Sequence, residues 1–461
     1  MTKIRNYIIC FLICSSPISG AHAKSFQVSS LEGFENAQHD TRSGDSIIWS
    51  AGRYSDINLN LKVNDVVFQS AMPGSTVFTG NSTLLVSGSG NIVTGFQFIG
   101  GSINGDVVDI SGSKNTIQHI NIYNYDSHYY LRVRPNCQYN QISYCNFEAK
   151  PETQESSVVQ IEASENIIGY HVVSHCSFKN HTAPEGAGAD YGIEALRIGY
   201  SYQRMYTSRT LVEYCYFERC NGDYEIISCK ARENLMRYNT FINNGPAHLT
   251  LRHGSVNMIY GNFFINGAGI RVKEGQNHTI TNNYFDSDDY FSIKIQNHHF
   301  DPVDSIIIAY NTIINHGTLI LGGKGDFPPT HVVLTKNLFS SKINSLYSEE
   351  TEAEIWIDNV LQEGKTEIPD TNVKFAKFEL EKNDKGLYSP KFITKFVPNK
   401  EYILMNIFNI PMLDDDFKIQ KDMMKQDRDE DSIGSYVPSK TKILLLHANA
   451  NNTGPNYLEN N

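Results

Sequence analysis

Between residues 190 and 275 the sequence places ionisable side chains in strand-like runs whose packing does not require them. The run Asp223-Tyr224-Glu225-Ile226-Ile227-Ser228-Cys229-Lys230 carries two carboxylates two residues apart, hence on one side of a strand, and closes on a lysine. The runs Leu249-Thr250-Leu251-Arg252-His253-Gly254 and Gly269-Ile270-Arg271-Val272 add two arginines and a histidine. Arg197, in Glu194-Ala195-Leu196-Arg197-Ile198-Gly199, belongs one unit earlier. Such a file of cations with carboxylates in its middle suits a linear polyanion. Carboxylates on one strand side favour a shared cation over hydrolysis, which needs two facing each other across a sugar bond. The competing interpretation is a solvated, salt-bridged wall; it gives no reason to set a lysine beside paired carboxylates. A non-catalytic β-helix adhesin or glycan-binding module would use the arginines alone.

What positions these residues is a repeat. An aliphatic residue is followed three positions later by Asn, Cys or an apolar residue, and two later by Phe or Ile. It runs from Val93/Phe96/Phe98 through Ile142/Cys145/Phe147 and Ile259/Asn262/Phe264 to Leu334/Asn337/Phe339, with middle residues 24, 25, 31, 39, 24, 23, 21, 28 and 26 apart. Nine steps near one length mean stacked units that bury their apolar faces on one another. Short β-branched and aromatic runs broken by Gly, Asn and Asp, without heptads, make each unit a strand coil. The expected fold is all-β: a single-domain right-handed parallel β-helix whose Asn side chains form a ladder. Lys230, Arg252 and Arg271 lie 9, 10 and 12 residues before their ladder Asn and are expected on one wall. The two long steps predict loops near 150–170 and 185–210, where a solenoid builds binding surfaces. Cys145, Cys176 and Cys215 take ladder positions and are expected as free buried thiols.

The rest of the chain bounds the function. Of 461 residues 39 are Lys or Arg and 50 Asp or Glu, a net charge of -11 that disfavours nucleic acid as a partner. Residues 1–23 have the layout of a signal peptide: Lys3 and Arg5, an apolar Tyr7–Cys14, and Ala21-His22-Ala23 as a cleavage site. Its removal moves the charge to -13 and implies an exported protein, periplasmic or secreted. No later apolar run is long enough to span a bilayer, and a monomer is expected. Residues 24–340 are expected to form the β-helix, with a short N-terminal helix capping it through a Ser29/Glu32 box and a Leu31, Phe34, Ala37 stripe. Residues 341–437 are expected as irregular final coils and a C-terminal cap, and 438–461 as a loosely held tail.

In order and spacing, the runs Glu225–Lys230, Leu249–Gly254 and Ala268–Val272 resemble polysaccharide lyase family 6, which contains alginate lyases and chondroitinase B. The similarity covers roughly residues 26–340 and is densest over 190–275. It implies a lyase that cleaves a polyuronate, alginate foremost or alternatively dermatan or chondroitin sulfate, by β-elimination. By position Lys230 is then the base and Arg252 the acid or charge stabiliser. Arg197, His253, Arg271, Glu194 and Tyr191 become substrate-binding candidates, with a packed role equally open for His253. The resemblance also implies Ca2+ held by Asp223 and Glu225. The departure is Tyr191-Gly192-Ile193-Glu194 where the family often reads Asn-Gly-Gly-Glu. Either Asp190 or loop atoms complete the calcium site, or protein cations neutralise the substrate without metal.

Overall fold

The computed structural model describes residues 23–341, apart from 152, 188–189, 297–298, 316–318 and 324–325, and the stretches 354–362, 373–382, 387–392, 421–428, 432–435 and 448–458. The expected signal segment lies outside them except for Ala23. The chain winds into a parallel β-solenoid of about 13 turns with very little helix. Three parallel sheets run along it, and within each sheet neighbouring strands come from successive coils.

The repeat read from sequence is the register of this stack. Its first residues pair coil to coil on one sheet, Val93 with Ile117, then Ile142, Val173, Val212 and Met236. Its third residues pair on a second sheet, and the rings of Phe178, Phe217, Phe241, Phe264 and Phe285 stack at centroid spacings of 4.7 to 5.0 Å. Between the two strands the backbone bends through a left-handed residue such as Tyr214, Tyr238 or Asn282. The ladder residue follows that bend and points inward.

At the bend the Asn side chain replaces hydrogen bonds that the interrupted strands cannot make. Asn262 accepts the Asn239 backbone N–H on Oδ1 at 2.9 Å and donates through Nδ2 to Met236 O at 2.9 Å and Asn283 Oδ1 at 3.0 Å. Cys215 enters the same ladder, its N–H donating to Asn239 Oδ1 at 2.9 Å. Asn262→Ala leaves a buried N–H and a buried carbonyl without partners, so a loss of about 2–4 kcal/mol is expected in denaturant unfolding. Cys145, Cys176 and Cys215 are free and buried, as expected from their ladder positions.

One expectation about the ends is corrected. The helix Leu31–Asp40 covers the first coil, but its N-cap is Ser30, whose hydroxyl accepts the Gly33 N–H, because strand Ser25–Val28 leaves Ser29 as the connector. Phe34 and Ala37 are buried while Leu31 is exposed. Past 340, among the described residues, Glu354–Ile357, Asn359–Gln362 and Val373–Ala376 extend two of the sheets and Asn359 adds a rung to the ladder, while most of the expected cap lies outside the described residues. Of the expected tail, residues 448–458 are described. The Gly454 N–H donates to His175 O at 2.9 Å, and the Tyr457 hydroxyl donates to His119 O at 3.0 Å, so this segment lies along earlier coils.

Candidate active site

The third sheet, Asn58–Leu61 to Leu319–Leu321, carries the charged residues. Its outward positions run Arg132, Gln160, Arg197, Ser228, Thr250, Arg271, Lys294 in register. Because Cys229 pairs with Leu251 and Leu251 with Val272, the residues just after them, Lys230, Arg252 and Lys273, form a second row at the strand ends. Gly254 makes the sharp exit after Arg252: its φ is +70°, and a Cβ there would stand 2.3 Å from Ala231 O.

Here a cleft of about 420 Å3 is lined by Asp190, Glu194, Asp223, Tyr224, Glu225, Lys230, Arg252, Arg271 and Lys273. The expected pair Lys230 and Arg252, the carboxylates Asp223 and Glu225, and Glu194 and Arg271 thus meet in one place. Asp223 and Glu225 share it for a different reason than strand alternation. Asp223 precedes the strand Glu225–Cys229 and accepts the backbone N–H groups of Gly192 at 2.9 Å and Glu225 at 2.8 Å. A register shift between Glu225 and Ile227 then turns Glu225 into the cleft.

Lys230 is 8% exposed, with Nζ 3.9 Å from Glu194 Oε1. Burial lowers its pKa; the Arg197 and Arg252 charges act in the same direction, against the pull of Glu194 and Glu225. Arg252 Nη1 donates to the buried Glu225 Oε1 at 2.6 Å, and Arg271 Nη1 lies 3.9 Å from the same oxygen. Burial alone would raise the Glu225 pKa, yet Arg252, Ser228 and Lys230 together hold it below the ordinary value. Asp223 has no such partner. Burial, reinforced by the Glu194 charge, pushes it up to about 7.

The calcium expectation can be weighed against these atoms. Glu194 is buried with Oε2 lacking any hydrogen-bond partner, and beside it burial and the Glu194 charge hold the Asp223 pKa up. A hard, oxygen-rich donor set with an unpartnered buried carboxylate oxygen fits a calcium ion. The residues that would hold it are Glu194, Asp223 and Glu225, with Asp190 at the rim.

Other expected site residues lie elsewhere. Tyr191 does not line the cleft; its ring is half-buried against the solenoid core, and Asp190 before it reaches the lining instead. Arg197 sits one coil before Ser228, as expected, but points into a polar cluster. Nη2 donates to the Tyr129 hydroxyl at 2.8 Å, Nε to Gln160, and Nη1 lies 3.7 Å from Glu194 Oε2. His253 is also absent from the lining and stands against Glu274 and Asp301. Lys273 was missed by the sequence reading, although it lies 10 residues before Asn283, the same offset as Arg252 from Asn262. Arg271, at 12, belongs to the neighbouring row.

The family model described as Chondroitinase B matches residues 28–320. No curated protein matches the chain significantly. Among solved structures, the PL6 family alginate lyase AlyGC is 24% identical with a TM-score of 0.71, over 80% of this chain and 55% of that one. The chain therefore spans little more than half of that relative's length. A mannuronic acid specific polysaccharide lyase family 6 enzyme from human gut microbiota is 24% identical, TM-score 0.63, over 73% and 86%. The PL6 family polysaccharide lyase Pedsa3628 from Pseudopedobacter saltans is 21% identical, TM-score 0.64, over 81% and 97%. At these identities the structures establish a shared fold, and the family model, which covers more than half of the residues, establishes descent. The chain belongs to the chondroitinase B family, polysaccharide lyase family 6.

Proposed function

We propose that this protein is an exported lyase that cleaves a polyuronate, alginate foremost, by β-elimination. The observation that carries the proposal is a buried lysine of lowered pKa beside Arg252 in a cleft open to a chain molecule. Neutral Lys230 Nζ takes the proton from carbon 5 of the uronate. The electron pair left behind forms the bond between carbons 4 and 5, and the bond from carbon 4 to the bridging oxygen breaks. Arg252, which stays protonated, faces the negative charge that builds on the uronate carboxylate. The departing oxygen takes a proton from water or from Tyr224, the phenol that lines the cleft. Arg271 and Lys273 hold neighbouring uronates. Arg197 acts from behind, fixing Glu194.

Four carboxylates and four cations line the cleft, which leaves no cationic surplus for sulfate groups and favours an unsulfated chain. Dermatan sulfate is the second substrate to assay, since the family model is that of chondroitinase B. Among the described residues no helix is long and apolar enough to cross a membrane.

A bound calcium ion would add positive charge at the substrate carboxylate. Treatment with chelator is expected to lower turnover at least tenfold, and Ca2+ to restore it. A rate unchanged in chelator would assign neutralisation to Arg252 and Arg271 alone.

The base must be unprotonated, so kcat/KM is expected to rise with pH along a limb centred below the ordinary lysine value. Glu194 raises the Lys230 pKa; removing its charge destabilises the ammonium. Glu194→Gln is therefore expected to move the limb to lower pH, as read from pH–rate profiles; a shift to higher pH would remove Lys230 as the titrating base.

A further inference from the structure

Beside the cleft, three side chains from three different coils converge without a role in the chemistry above. His253 Nδ1 lies 2.8 Å from Glu274 Oε2 and 3.5 Å from Asp301 Oδ2, and all three atoms fall within 4.8 Å of one another. Among the described residues this is the group in which three such ligand atoms approach so closely, and the Asp223 and Glu225 pair is not in it.

Glu274 carries the argument. It is 2% exposed, and its Oε2 has no hydrogen-bond partner; nor has His253 Nδ1, although the two are at contact distance. A histidine and a carboxylate that merely paired would align an N–H with a lone pair. Here the two atoms are close without hydrogen-bond geometry between them, which leaves both open to a common third atom. Bonds of about 2.0–2.1 Å to a tetrahedral ion set ligand atoms about 3.4 Å apart, inside the range seen here. Asp301 closes the set from the rim, where Arg204 Nε lies 3.2 Å from the same Oδ2.

We propose that His253, Glu274 and Asp301 form a binding site for a first-row divalent transition ion, Zn2+ or Mn2+, distinct from the calcium position in the cleft. One imidazole with two carboxylates selects such ions over calcium, which prefers an all-oxygen shell. The site would act as a clamp: His253 follows Arg252 directly, so an ion bound there ties the exit of the strand bearing Arg252 to two later coils. The proposal does not rest on lyase activity.

It is tested on the full-length protein stripped with chelator, with Zn2+ titrated calorimetrically and Co2+ as the absorbance probe. The expected result is one equivalent of Zn2+ and a visible Co2+ band differing from the aqueous ion. His253→Gln and Glu274→Gln should each weaken Zn2+ binding at least tenfold and abolish the band, while Asp223→Asn leaves both unchanged. Asp301→Asn, at a position 29% exposed, serves as a third variant should a buried change impair folding. A Co2+ spectrum identical to the aqueous ion, a band that survives in His253→Gln, or a band lost in Asp223→Asn would each overturn the proposal. Loss of turnover alone would bear on the cleft and not on this site.

Discussion

Replacing Lys230 by Ala is expected to lower turnover on a polyuronate by on the order of 10^3- to 10^4-fold, the range of a general base, while binding weakens far less. The side chain sits at the cleft wall, 3.9 Å from Glu194. Lys230→Arg separates charge from basicity. It keeps a cation beside Glu194, but a guanidinium does not give up its proton in a protein. The arginine variant should therefore bind substrate as the parent does and turn over no faster than Lys230→Ala. If it retained a tenth of the activity or more, Lys230 would be a charge and not the base.

The second large effect is at Arg252. Its Nη1 holds the buried Glu225 at 2.6 Å, so Arg252→Ala removes the closest partner of a carboxylate that is itself 2% exposed. Breaking a buried pair from one side typically costs about 3–5 kcal/mol, and loss of a group facing the developing charge should lower kcat by roughly 10^2- to 10^3-fold. The two effects separate in the double variant Arg252→Ala/Glu225→Gln. Removing the stranded charge is expected to recover most of the stability in thermal unfolding and none of the turnover. Recovery of both would make Arg252 a structural partner only.

The coil was legible because its period is set by packing. Val93, Ile117 and Ile142 recur where the core needs them, and Asn239, Asn262 and Asn283 recur where a left-handed bend leaves backbone groups unpaired. The end of the ladder was not, because Trp356 stands where an aliphatic residue opens the other rungs, hiding Asn359. In the cleft, Lys230, Arg252, Asp223 and Glu225 were found from residue type and offset. Choosing Arg271 over Lys273 for the same row ignored a two-residue difference, which in a strand keeps the side but changes the position along it. Tyr191 was misplaced because loop length, not strand period, decides which residue of that insertion reaches the lining. Neither the seat of Tyr457 on the early coils nor the meeting of Asp301 with His253 leaves a local mark in the sequence, since each joins residues far apart in the chain.

The most direct measurement is the ultraviolet absorbance of an unsaturated uronate when the protein is incubated with alginate and, separately, with dermatan sulfate, each with and without added Ca2+. A steady rise on alginate, absent with Lys230→Ala, is the expected result. No rise on either polymer under any of these conditions would contradict elimination chemistry in this cleft.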